Sequence, residues 1–475
     1  MSKLKIKTYL SICVVVLLTL FIARPWIEKG FNHIPTPNDD ITIDFTDDSG
    51  YRIRMEKPAD TIISLYSAHT ENLFALGLDR EIIGVGSSDI YPYEALSKEV
   101  YDYKSDPEKV IASRPDVVLI RPFIERHSPD FVKSLRRTGI TVVSLYPDSF
   151  DEFDEYITKL GMITGKETTA ERLLSEFHFE LQAISHEIIS TENQVGVYFE
   201  SSDREYKTVT EASMAAYAID LAGGRNIASD AVPVEEGSSI AIYGTENIIE
   251  KADDIDVYVT QRGVMGAGGN THSISIRPGF DVIKAVKNDR VYEINQKIIS
   301  SPTFRFIKGV KALQRAFYPE KYCEIEIKEG IVTRQELSEV MVKYLNTMIF
   351  VPTTSYYNDL DKGHYYGDFV DVTVDHDYFD YIETAMKRGY FKSFIIEEKN
   401  YFYPEQPVTR EEFALIIYLI NDFKNESTVI KDCDDIFNNR IVETVVFHDL
   451  MSLEEGCFNP SEPLTWDVLK SGLGL

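Results

Sequence analysis

The chain has 475 residues, a hydrophobic content of 44% and a formal net charge of −28. At roughly 150 residues per domain it has room for about three domains, and its apolar content is too high for a disordered chain. The negative charge argues against nucleic acid and anionic lipid as partners, since no basic patch could offset it. Residues 321–475 hold 14 Lys and Arg against 29 Asp and Glu, so the last third is the more acidic part.

The first 24 residues have the pattern of an export signal. Three lysines within the first seven residues precede a run without charge from Tyr9 to Ala23. The run is shorter than the roughly 20 residues of a usual membrane span, which favours a cleaved signal. No small-x-small cleavage motif precedes Arg24, which favours an uncleaved anchor. Both remain open, and both predict an extracytoplasmic protein held at the cell surface, with residues 25–40 as a proline-containing spacer.

Residues 41–150 alternate short apolar strands with helical segments, which is typical of a parallel α/β layer. The segment begins with a hairpin signal around residues 48–50, where two alternating stretches flank Asp-Ser-Gly. Strands are then predicted at 61–65, 82–86, 117–120 and 141–145, with helices at 71–76 and 106–113. Residues 192–320 restart the same alternation. The sequence therefore predicts two α/β lobes.

A long helix is predicted to join the two lobes within residues 151–191. Its apolar stripe, in steps of three or four, is Leu173, Phe177, Leu181, Ile184 and Ile188. Thr168 and Glu171 have the spacing of a capping box, and a break from Gly161 to Gly165 separates a shorter helix from the long one. From Thr169 to Ser190 the helix would measure about 33 Å, at about 1.5 Å per residue. That length is sufficient to cross a two-lobed molecule.

An ordered set of short segments in the first lobe resembles a known family. The set comprises the Asp48-Ser-Gly50 hairpin, Ile62-Ile-Ser-Leu65, Thr70-Glu71, Leu76-Gly77, Ile83-Gly-Val85, Tyr91-Pro92, Pro107-Glu108-Lys-Val-Ile111 and Arg114-Pro-Asp-Val-Val-Leu119. In this order and spacing it is similar to the solute-binding proteins that serve ABC importers of ferric siderophores, cobalamin and haem. The resemblance covers about residues 41–320. It implies two Rossmann-like lobes, joined by a long rigid α-helix, that close over a ligand by small angles only.

Candidate ligand-binding residues lie in the loops at the carboxyl ends of the predicted strands, where ligands of open α/β sheets bind. They are Tyr66, Ser67, His69, Tyr91, Tyr93, Arg121 and Phe123 in the first lobe, and Arg204, Tyr206, Arg262, Met265, His272 and Arg305 in the second. Aromatic faces would cover a flat or apolar ligand, and guanidinium groups would pair with carboxylates or catecholates. For haem, Met265, His272 or His69 could serve as an axial ligand. The alternative is that these residues are ordinary half-buried side chains and hydrogen-bonded loop histidines.

Glu108 and Glu246 occupy matching places in the two lobes, because each opens a helix before a buried strand. The family resemblance implies that such acidic residues dock on arginines of the membrane permease, one in each lobe. The alternative is that each carboxylate only complements the dipole at the start of its helix.

The sequence contains no catalytic motif. A GxSxG nucleophile elbow, an HExxH zinc motif and a phosphate-binding loop are all absent. His178 and His186 are interpreted as helix surface, and Asp359 to Gly363 lacks the glycine and glutamate positions of a calcium loop. We therefore predict a binding protein without catalytic activity, resident cofactor or metal.

The four cysteines do not have the spacing of a zinc site. Cys433 and Cys457 could pair in an oxidising compartment, which would leave Cys323 unpaired. Cys13 lies inside the apolar N-terminal run and not after it, so a lipoprotein cleavage site is not expected.

Residues 328–475 contain a repeat. The motif around Pro407-Val-Thr-Arg410 recurs as Pro463-Leu-Thr465, with an earlier half-copy at Val332-Thr-Arg-Gln-Glu336. The complete copy, from Phe369 to Phe413, resembles an S-layer homology repeat, which implies a mainly helical domain that binds cell-wall polymer.

By that resemblance Arg334 and Arg410 would contact an anionic ketal on the wall glycan. The third copy departs from the pattern, because Trp466 stands where the arginine is expected, and the first copy lacks a recognisable front half. The alternative is a degenerate helical bundle that no longer binds the wall.

Together these observations predict a surface solute-binding protein that captures a ferric siderophore, cobalamin or haem-type complex and delivers it to an ABC permease. A C-terminal domain would tether it to the wall. The competing interpretation is a structural or adhesive surface protein whose lobes no longer serve transport. Neighbouring permease and ATPase genes would favour transport, and their absence would favour the alternative.

Overall fold

The computed structural model describes residues 43–188, 194–235, 238–263, 269–322, 325–347, 349–350, 356–359, 365–421, 428–432, 436 and 438–475. The segment predicted as a signal or anchor, 1–24, and the spacer, 25–40, lie outside these residues. Within the described ranges, no helix combines the length and the apolar character needed to cross a bilayer.

The described chain begins with a hairpin of two paired strands, Ile43–Thr46 and Arg52–Met55. Arg52 donates two hydrogen bonds of 2.8 Å to the carboxylate of Asp44 across the hairpin. Gly50 has a φ of 79°, a backbone conformation that a side chain would disfavour. The turn predicted at Asp-Ser-Gly is therefore confirmed.

The first lobe is built on a five-stranded sheet in which every pairing is parallel. In sheet order the strands are Glu99–Tyr101, Ile82–Gly86, Ile62–Ser64, Val117–Ile120 and Thr141–Ser144. Its helices are Ser67–Ala75, Glu108–Ser113, Pro122–His127, Pro129–Arg137 and the 3-10 turn Tyr93–Ser97. All four residues of Val117–Ile120 are fully buried, as expected for a central parallel strand covered on both faces.

The second lobe repeats this arrangement with a four-stranded parallel sheet. In sheet order its strands are Gly224–Asn226, Val195–Glu200, Val257–Arg262 and Val291–Asn295, beside a small antiparallel sheet of Thr208–Val209, Ile240–Ile242 and Val232–Pro233. Its helices are Met214–Leu221, Gly244–Glu250, Thr271–Ser275, Lys284–Lys287, Gln296–Ile299, Phe306–Phe317 and Pro319–Tyr322. The predicted fold class, α/β with parallel sheets, is confirmed.

The helical segment between the lobes differs in detail from the prediction. It consists of the helix Phe153–Thr164 packed against a second helix, Glu167–Ile188, which we call the connecting helix. The first helix continues through Gly161 and ends at Gly165, where φ is 66°. Thr168 lies inside the connecting helix, so the predicted capping box is wrong. The predicted core stripe is confirmed at Phe177, Leu181 and Ile184, which are all buried.

The tail domain after residue 328 is mainly helical, as predicted. Its helices are Arg334–Tyr344, Phe379–Lys387, Arg410–Asn421, Asn439–Phe447 and Trp466–Leu473, and its short hairpins pair Asn358–Asp359 with Tyr365–Tyr366 and Phe394–Ile396 with Lys399–Tyr401. One core cluster includes Val332, Phe402, Phe413, Phe458 and Leu464, which come from all three copies of the repeat. The three copies therefore fold as one domain.

Candidate functional site

The carboxyl ends of the parallel strands in both lobes carry many of the predicted ligand-binding residues. In the first lobe, Tyr66 and Arg121 follow the strands Ile62–Ser64 and Val117–Ile120. In the second lobe, Arg204 follows Val195–Glu200, and Arg262 is the last residue of Val257–Arg262. Loops at this end of an open α/β sheet form its usual ligand crevice.

Arg121 is the centre of a cluster of aromatic residues in the first lobe. Its guanidinium carbon lies 5.0 Å from the ring centre of Tyr66 and 4.7 Å from that of Phe123. Tyr146, which sequence reasoning missed, lies 5.9 Å from Tyr66 between ring centres. Arg121 forms no ion pair with any described residue, so its charge is available to an anionic ligand beside two aromatic faces.

His69 is fully buried, and both of its ring nitrogens are engaged inside the first lobe. Nε2 donates to the carbonyl of Ile120 at 3.0 Å, and Nδ1 accepts from the hydroxyl of Tyr156 at 2.7 Å. Burial lowers the pKa of His69 to about 4, so it is neutral at pH 7. Ser67 is also buried, in the first turn of the same helix. The structure thus favours the alternative reading of His69 as an internal histidine, not the ligand role predicted for it.

Arg305 links the two lobes. Its Nε and one terminal nitrogen donate to the carboxylate of Glu71 at 2.8 and 2.6 Å, and Glu71 is buried. The guanidinium carbon lies 3.7 Å from the ring centre of Tyr91. A bidentate ion pair stacked on a ring is a strong structural contact. The geometry therefore gives Arg305 and Tyr91 a structural role at the lobe junction beside the ligand role predicted for them.

A second link between the lobes was not predicted. The ammonium group of Lys297 donates to the carbonyl of Ser88. The adjacent Asp89 is buried and accepts hydrogen bonds from the Thr70 hydroxyl at 2.5 Å and the Gly86 amide at 3.1 Å. Burial raises the pKa of Asp89 to about 6, against the opposing effect of Lys297. Ser88 and Lys297 each follow a strand, one in the first lobe and one in the second, so loops from the two lobes meet at this hydrogen bond.

The predicted residues of the second lobe are not gathered in one cluster. Arg204 is exposed, in a 3-10 turn with Tyr206. Arg262 donates to the carbonyl of Gly269 at 2.7 Å and lies 3.5 Å from a carboxylate oxygen of Glu293. These contacts orient Arg262 within its own lobe.

His272 and Met265 were the candidate axial ligands of the second lobe. His272 is exposed, in the helix Thr271–Ser275. Met265 lies outside the described residues. Among the described residues, no group of His, Cys, Asp and Glu is arranged to hold a metal ion.

An ion pair that sequence reasoning missed stabilises the second lobe near Arg262. Glu200 is fully buried and accepts a hydrogen bond of 2.9 Å from Arg277 and one of 2.5 Å from the hydroxyl of Tyr258. The guanidinium carbon of Arg277 in turn lies 5.1 Å from the ring centre of Tyr206. The sequence signal for this ion pair was the position of Glu200 at the end of an otherwise apolar strand. Its partner Arg277 lies 77 residues away and could not be identified from that position.

Tyr93 is covered by the tail domain. Its ring centre lies 5.6 Å from that of Tyr357 and 6.0 Å from that of Phe379, both in edge-on contacts. Tyr93 is nevertheless half-buried and lines a cavity next to the tail. The contact with the tail is therefore found beside the ligand role predicted for Tyr93, which stays a prediction.

The two predicted docking residues have matching positions. Glu108 is exposed in the first turn of a helix that precedes the strand Val117–Ile120. Glu246 is exposed in the first turn of the helix Gly244–Glu250, which precedes the strand Val257–Arg262. Both carboxylates are thus accessible to a partner protein.

The arginines predicted to contact the wall are buried inside the tail domain. Arg334 is 2% exposed and donates to the carbonyls of Phe402 and Lys392, at 2.8 and 2.9 Å, and to Glu412 at 2.9 Å. Buried in this way, Arg334 acts as a clamp on the next copy of the repeat. A direct contact with wall polymer is not available to its guanidinium in this structure.

Arg410 repeats the same clamp one copy later. It is 3% exposed and donates to the carbonyls of Phe458 and Ser452, both at 2.8 Å. In the third copy the equivalent residue is Trp466, which is 2% exposed, and the ammonium group of Lys328 lies 5.8 Å from its ring centre.

Within the part of the chain that the structure describes, Cys457 forms no disulfide, and its side chain is half-buried. Cys433, its candidate disulfide partner, lies outside the described residues.

Two parallel α/β lobes joined by helices, with loops meeting at the strand ends, define a solute-binding protein. The family model described as periplasmic binding protein matches residues 62–298, and that of the S-layer homology domain matches residues 368–414. The uncharacterized ABC transporter substrate-binding lipoprotein YvrC of Bacillus subtilis is 30% identical over 289 residues, 60% of this chain and 87% of that protein. The chain therefore belongs to the periplasmic binding protein family and also carries an S-layer homology domain.

Other proteins are also similar to this chain. The vitamin B12-binding protein of Vibrio cholerae is 24% identical over 257 residues, 54% of this chain and 87% of that protein. A periplasmic binding protein from Veillonella parvula has a TM-score of 0.50 at 19% identity, covers 59% of this chain and 99% of that one, and shows the shared fold. A possible iron-binding (periplasmic solute-binding) protein from Staphylococcus epidermidis has a TM-score of 0.49 at 25% identity, over 55% and 100% of the two chains. The relatives are binding proteins, in agreement with the prediction that this chain is not an enzyme.

Proposed function

We propose that the chain is the extracytoplasmic solute-binding component of an ABC importer. It captures a ferric siderophore, or a cobalamin- or haem-type complex, between its lobes and delivers it to a membrane permease. The observation that carries this proposal is Arg121, which stands at the end of a central strand between two aromatic rings without an ion pair among the described residues.

The surroundings of Arg121 favour an acidic ligand with flat groups. The guanidinium group would pair with a carboxylate or catecholate, and the rings of Tyr66 and Phe123 would cover an aromatic or macrocyclic surface. Axial ligation of a haem iron has less support, because the nitrogens of His69 are already occupied. An iron complex of an acidic siderophore is therefore the favoured ligand class.

Delivery to the permease would use Glu108 and Glu246. They are exposed at matching positions of the two lobes, so a permease with two equivalent halves could bind one carboxylate on each side. Similar positions in both lobes support docking more than helix-dipole complementation alone, which requires no such match.

The tail domain would hold the protein at the cell wall. Support comes from the S-layer homology match and from the closed packing of the three copies around one core. In this proposal Arg334 and Arg410 act indirectly, because they hold together the copies whose surfaces contact the polymer. An exposed aromatic group on the second copy, including Phe394 and Tyr403, is available for sugar rings.

The first test is native mass spectrometry of the purified protein after incubation with ferric siderophores, cobalamin and haem. Arg121→Ala should lose the retained ligand, and Arg126→Ala, an exposed arginine on the helix that follows Arg121, is the matched control. Retention of none of these compounds by the parent protein would contradict the transport proposal and favour a structural surface role.

A further inference from the structure

A cavity of about 790 Å³ lies where both lobes, the connecting helix and the tail domain meet. Its walls include Phe179 of the connecting helix, residues of the helix Phe306–Phe317, and Tyr357 of the tail. The volume is in the range of small-molecule pockets, roughly 300–1,000 Å³. Tyr91, Tyr93 and Arg305, three of the predicted ligand-binding residues, also line it, whereas Arg121 and Tyr66 do not. The cavity therefore borders the space between the lobes but does not include the Arg121 cluster.

One helix face supplies much of the positive charge in this cavity. Lys308, Lys311 and Arg315 lie at the spacing that places side chains on one face of the helix Phe306–Phe317, and all three line the cavity. Lys311 is 3.3 Å from Glu180 in a half-exposed pair, a contact of small energy. Lys308 and Arg315 form no ion pair with a described residue.

The charge of the cavity contrasts with that of the chain. Six basic and four acidic side chains line its walls, although the protein carries a net charge of −28. The acidic group includes Asp377 and Asp380 on the tail side. Burial raises the pKa of Asp380, against the opposing effects of Lys308 and Arg305. Arg305 and Lys343 are paired with Glu71 and Glu339, two carboxylates that do not line the cavity. The cations available to an anion therefore include Lys308 and Arg315, which form no ion pair with a described residue.

Two buried donors of the wall residues have no hydrogen-bond partner among the residues that the structure describes. They are the side-chain amide nitrogen Nε2 of Gln314, a residue only 3% exposed, and the hydroxyl of Tyr322. Buried polar groups in native proteins are almost always paired, and an unpaired one calls for an explanation. Both atoms are closed off from the cavity in this structure, so an acceptor oxygen of a bound ligand would reach them after a rotation of the side chain.

We propose that this cavity is a second binding site, for an anionic ligand that carries several carboxylate or phosphate oxygens. The three cations of the helix face hold the charge, and Gln314 and Tyr322 donate directed hydrogen bonds. The aromatic rings of Phe350 and Tyr357 cover the less polar part of the ligand. The ligand bridges a lobe and the tail, because both contribute walls. It could be a free small polyanion or an acidic group repeated along a wall polymer.

The site is tested by isothermal titration calorimetry of the full chain with citrate, tripolyphosphate and purified anionic wall-polymer fragments. The first variant is Lys308→Gln with Lys311→Gln and Arg315→Gln. The matched control is Lys133→Gln with Arg137→Gln and Lys287→Gln, which removes the same charge from exposed lobe positions outside the cavity. Circular dichroism checks that both variants fold.

We expect the cavity variant to weaken anion binding about tenfold or more, and the control by about twofold or less. Ala183→Trp, which fills the cavity from the exposed face of the connecting helix without a change of charge, should also abolish binding. Binding of citrate or tripolyphosphate identifies a free anion as the ligand source, and binding of the fragments alone identifies the polymer.

Three results would overturn the proposal. They are the absence of anion binding by the parent protein, equal binding by the cavity variant and its control, and loss of binding in Arg121→Ala. The last result would place the anion in the ligand site between the lobes. The failure of siderophore, cobalamin and haem binding would leave this second site unaffected, so the two proposals are tested separately.

Discussion

The backbone amide of Val332 donates a hydrogen bond to the carbonyl of Leu464, 2.9 Å away, so the start of the tail domain is tied to its end. Leu464 donates in turn to Val408 at 2.7 Å, and Val408 donates to Val332 at 3.0 Å. The three copies of the repeat therefore form a closed ring of backbone hydrogen bonds. In an open array of repeats each copy contacts only its neighbours and a terminal copy can unfold separately. A closed ring has no terminal copy.

The ring predicts energetic coupling between the two ends of the tail. Val332→Ala and Leu464→Ala should each destabilise the tail by about 2–4 kcal/mol, because both side chains are fully buried. In a double-mutant cycle they should show an interaction energy of about 0.5–3 kcal/mol, measured by hydrogen exchange of tail amides. Val332→Ala combined with Ile63→Ala, a buried residue of the first lobe, is the additive control. Additive effects of the tail pair would contradict a cooperative ring.

The fold of the two lobes was the part of the structure that the sequence predicted best. Strands such as Val117–Ile120 are buried on both faces, so they appear as continuous apolar runs between turn residues, and this pattern does not depend on distant contacts. The helix boundary near Thr168 was missed because Gly161 was taken as a break. Gly161 instead lies inside a helix, where an added side-chain carbon would be 3.0 Å from that of Ala170. The glycine permits close packing of two helices.

The contacts of the candidate site were harder to predict from the sequence, because they join residues far apart in the chain. Arg121 and Tyr66 were found from their positions after strands, which is a local signal. The partnership of Glu71 with Arg305 has no local signal, since either residue alone resembles a surface charge. The same limit applies to Arg334, whose burial depends on carbonyls that the next copy of the repeat supplies.

Because Arg410 is buried and bonded to two carbonyls, we expect its substitution to weaken wall binding by destabilising the tail domain. Arg410→Ala leaves the buried carbonyls of Phe458 and Ser452 without donors and should destabilise the tail by about 3 kcal/mol. Wall binding and hydrogen-exchange protection of the tail should therefore fall together. Glu405→Ala, at an exposed position of the same copy, is the control. Loss of wall binding with unchanged protection would instead show a direct contact of Arg410 with the polymer.

Because His69 is buried and neutral, we expect the first lobe to lose stability at acid pH. The pKa of His69 is lowered from 6.5 to about 4, because burial disfavours the charged form. The unfolded chain therefore binds the proton more readily, and the stability that this group contributes above pH 6.5 is lost as the pH falls towards 4. The loss is on the order of 3 kcal/mol. Chemical denaturation of His69→Gln should show a flatter pH profile over this range, and His272→Gln, at an exposed position, should behave like the parent. Parallel profiles of the parent and His69→Gln would contradict the buried, neutral state.

Substitution of Arg305 distinguishes a structural role, which affects stability, from a ligand contact, which affects only binding. Arg305→Ala leaves the buried carboxylate of Glu71 unpaired, at a cost of about 3–5 kcal/mol in the free energy of unfolding of the lobes. Arg305→Met combined with Glu71→Gln removes both charges and should recover much of this stability. Thermal unfolding of the three proteins measures the effect. Unchanged stability of Arg305→Ala together with weaker ligand binding would restore the ligand role predicted from the sequence.

The matching positions of Glu108 and Glu246 predict that transport and ligand binding can be separated. If the two carboxylates dock on permease arginines as proposed, Glu108→Lys with Glu246→Lys should abolish uptake in cells that carry the permease, because like charges would then face each other. Ligand affinity measured on the purified protein should stay within about twofold, since both residues are exposed in the first turns of their helices. Glu56→Lys with Glu171→Lys reverses the same number of exposed charges elsewhere and should leave uptake intact. Normal uptake by the first variant would show that these carboxylates only complement their helix dipoles, and reduced uptake by the control would show a general effect of charge.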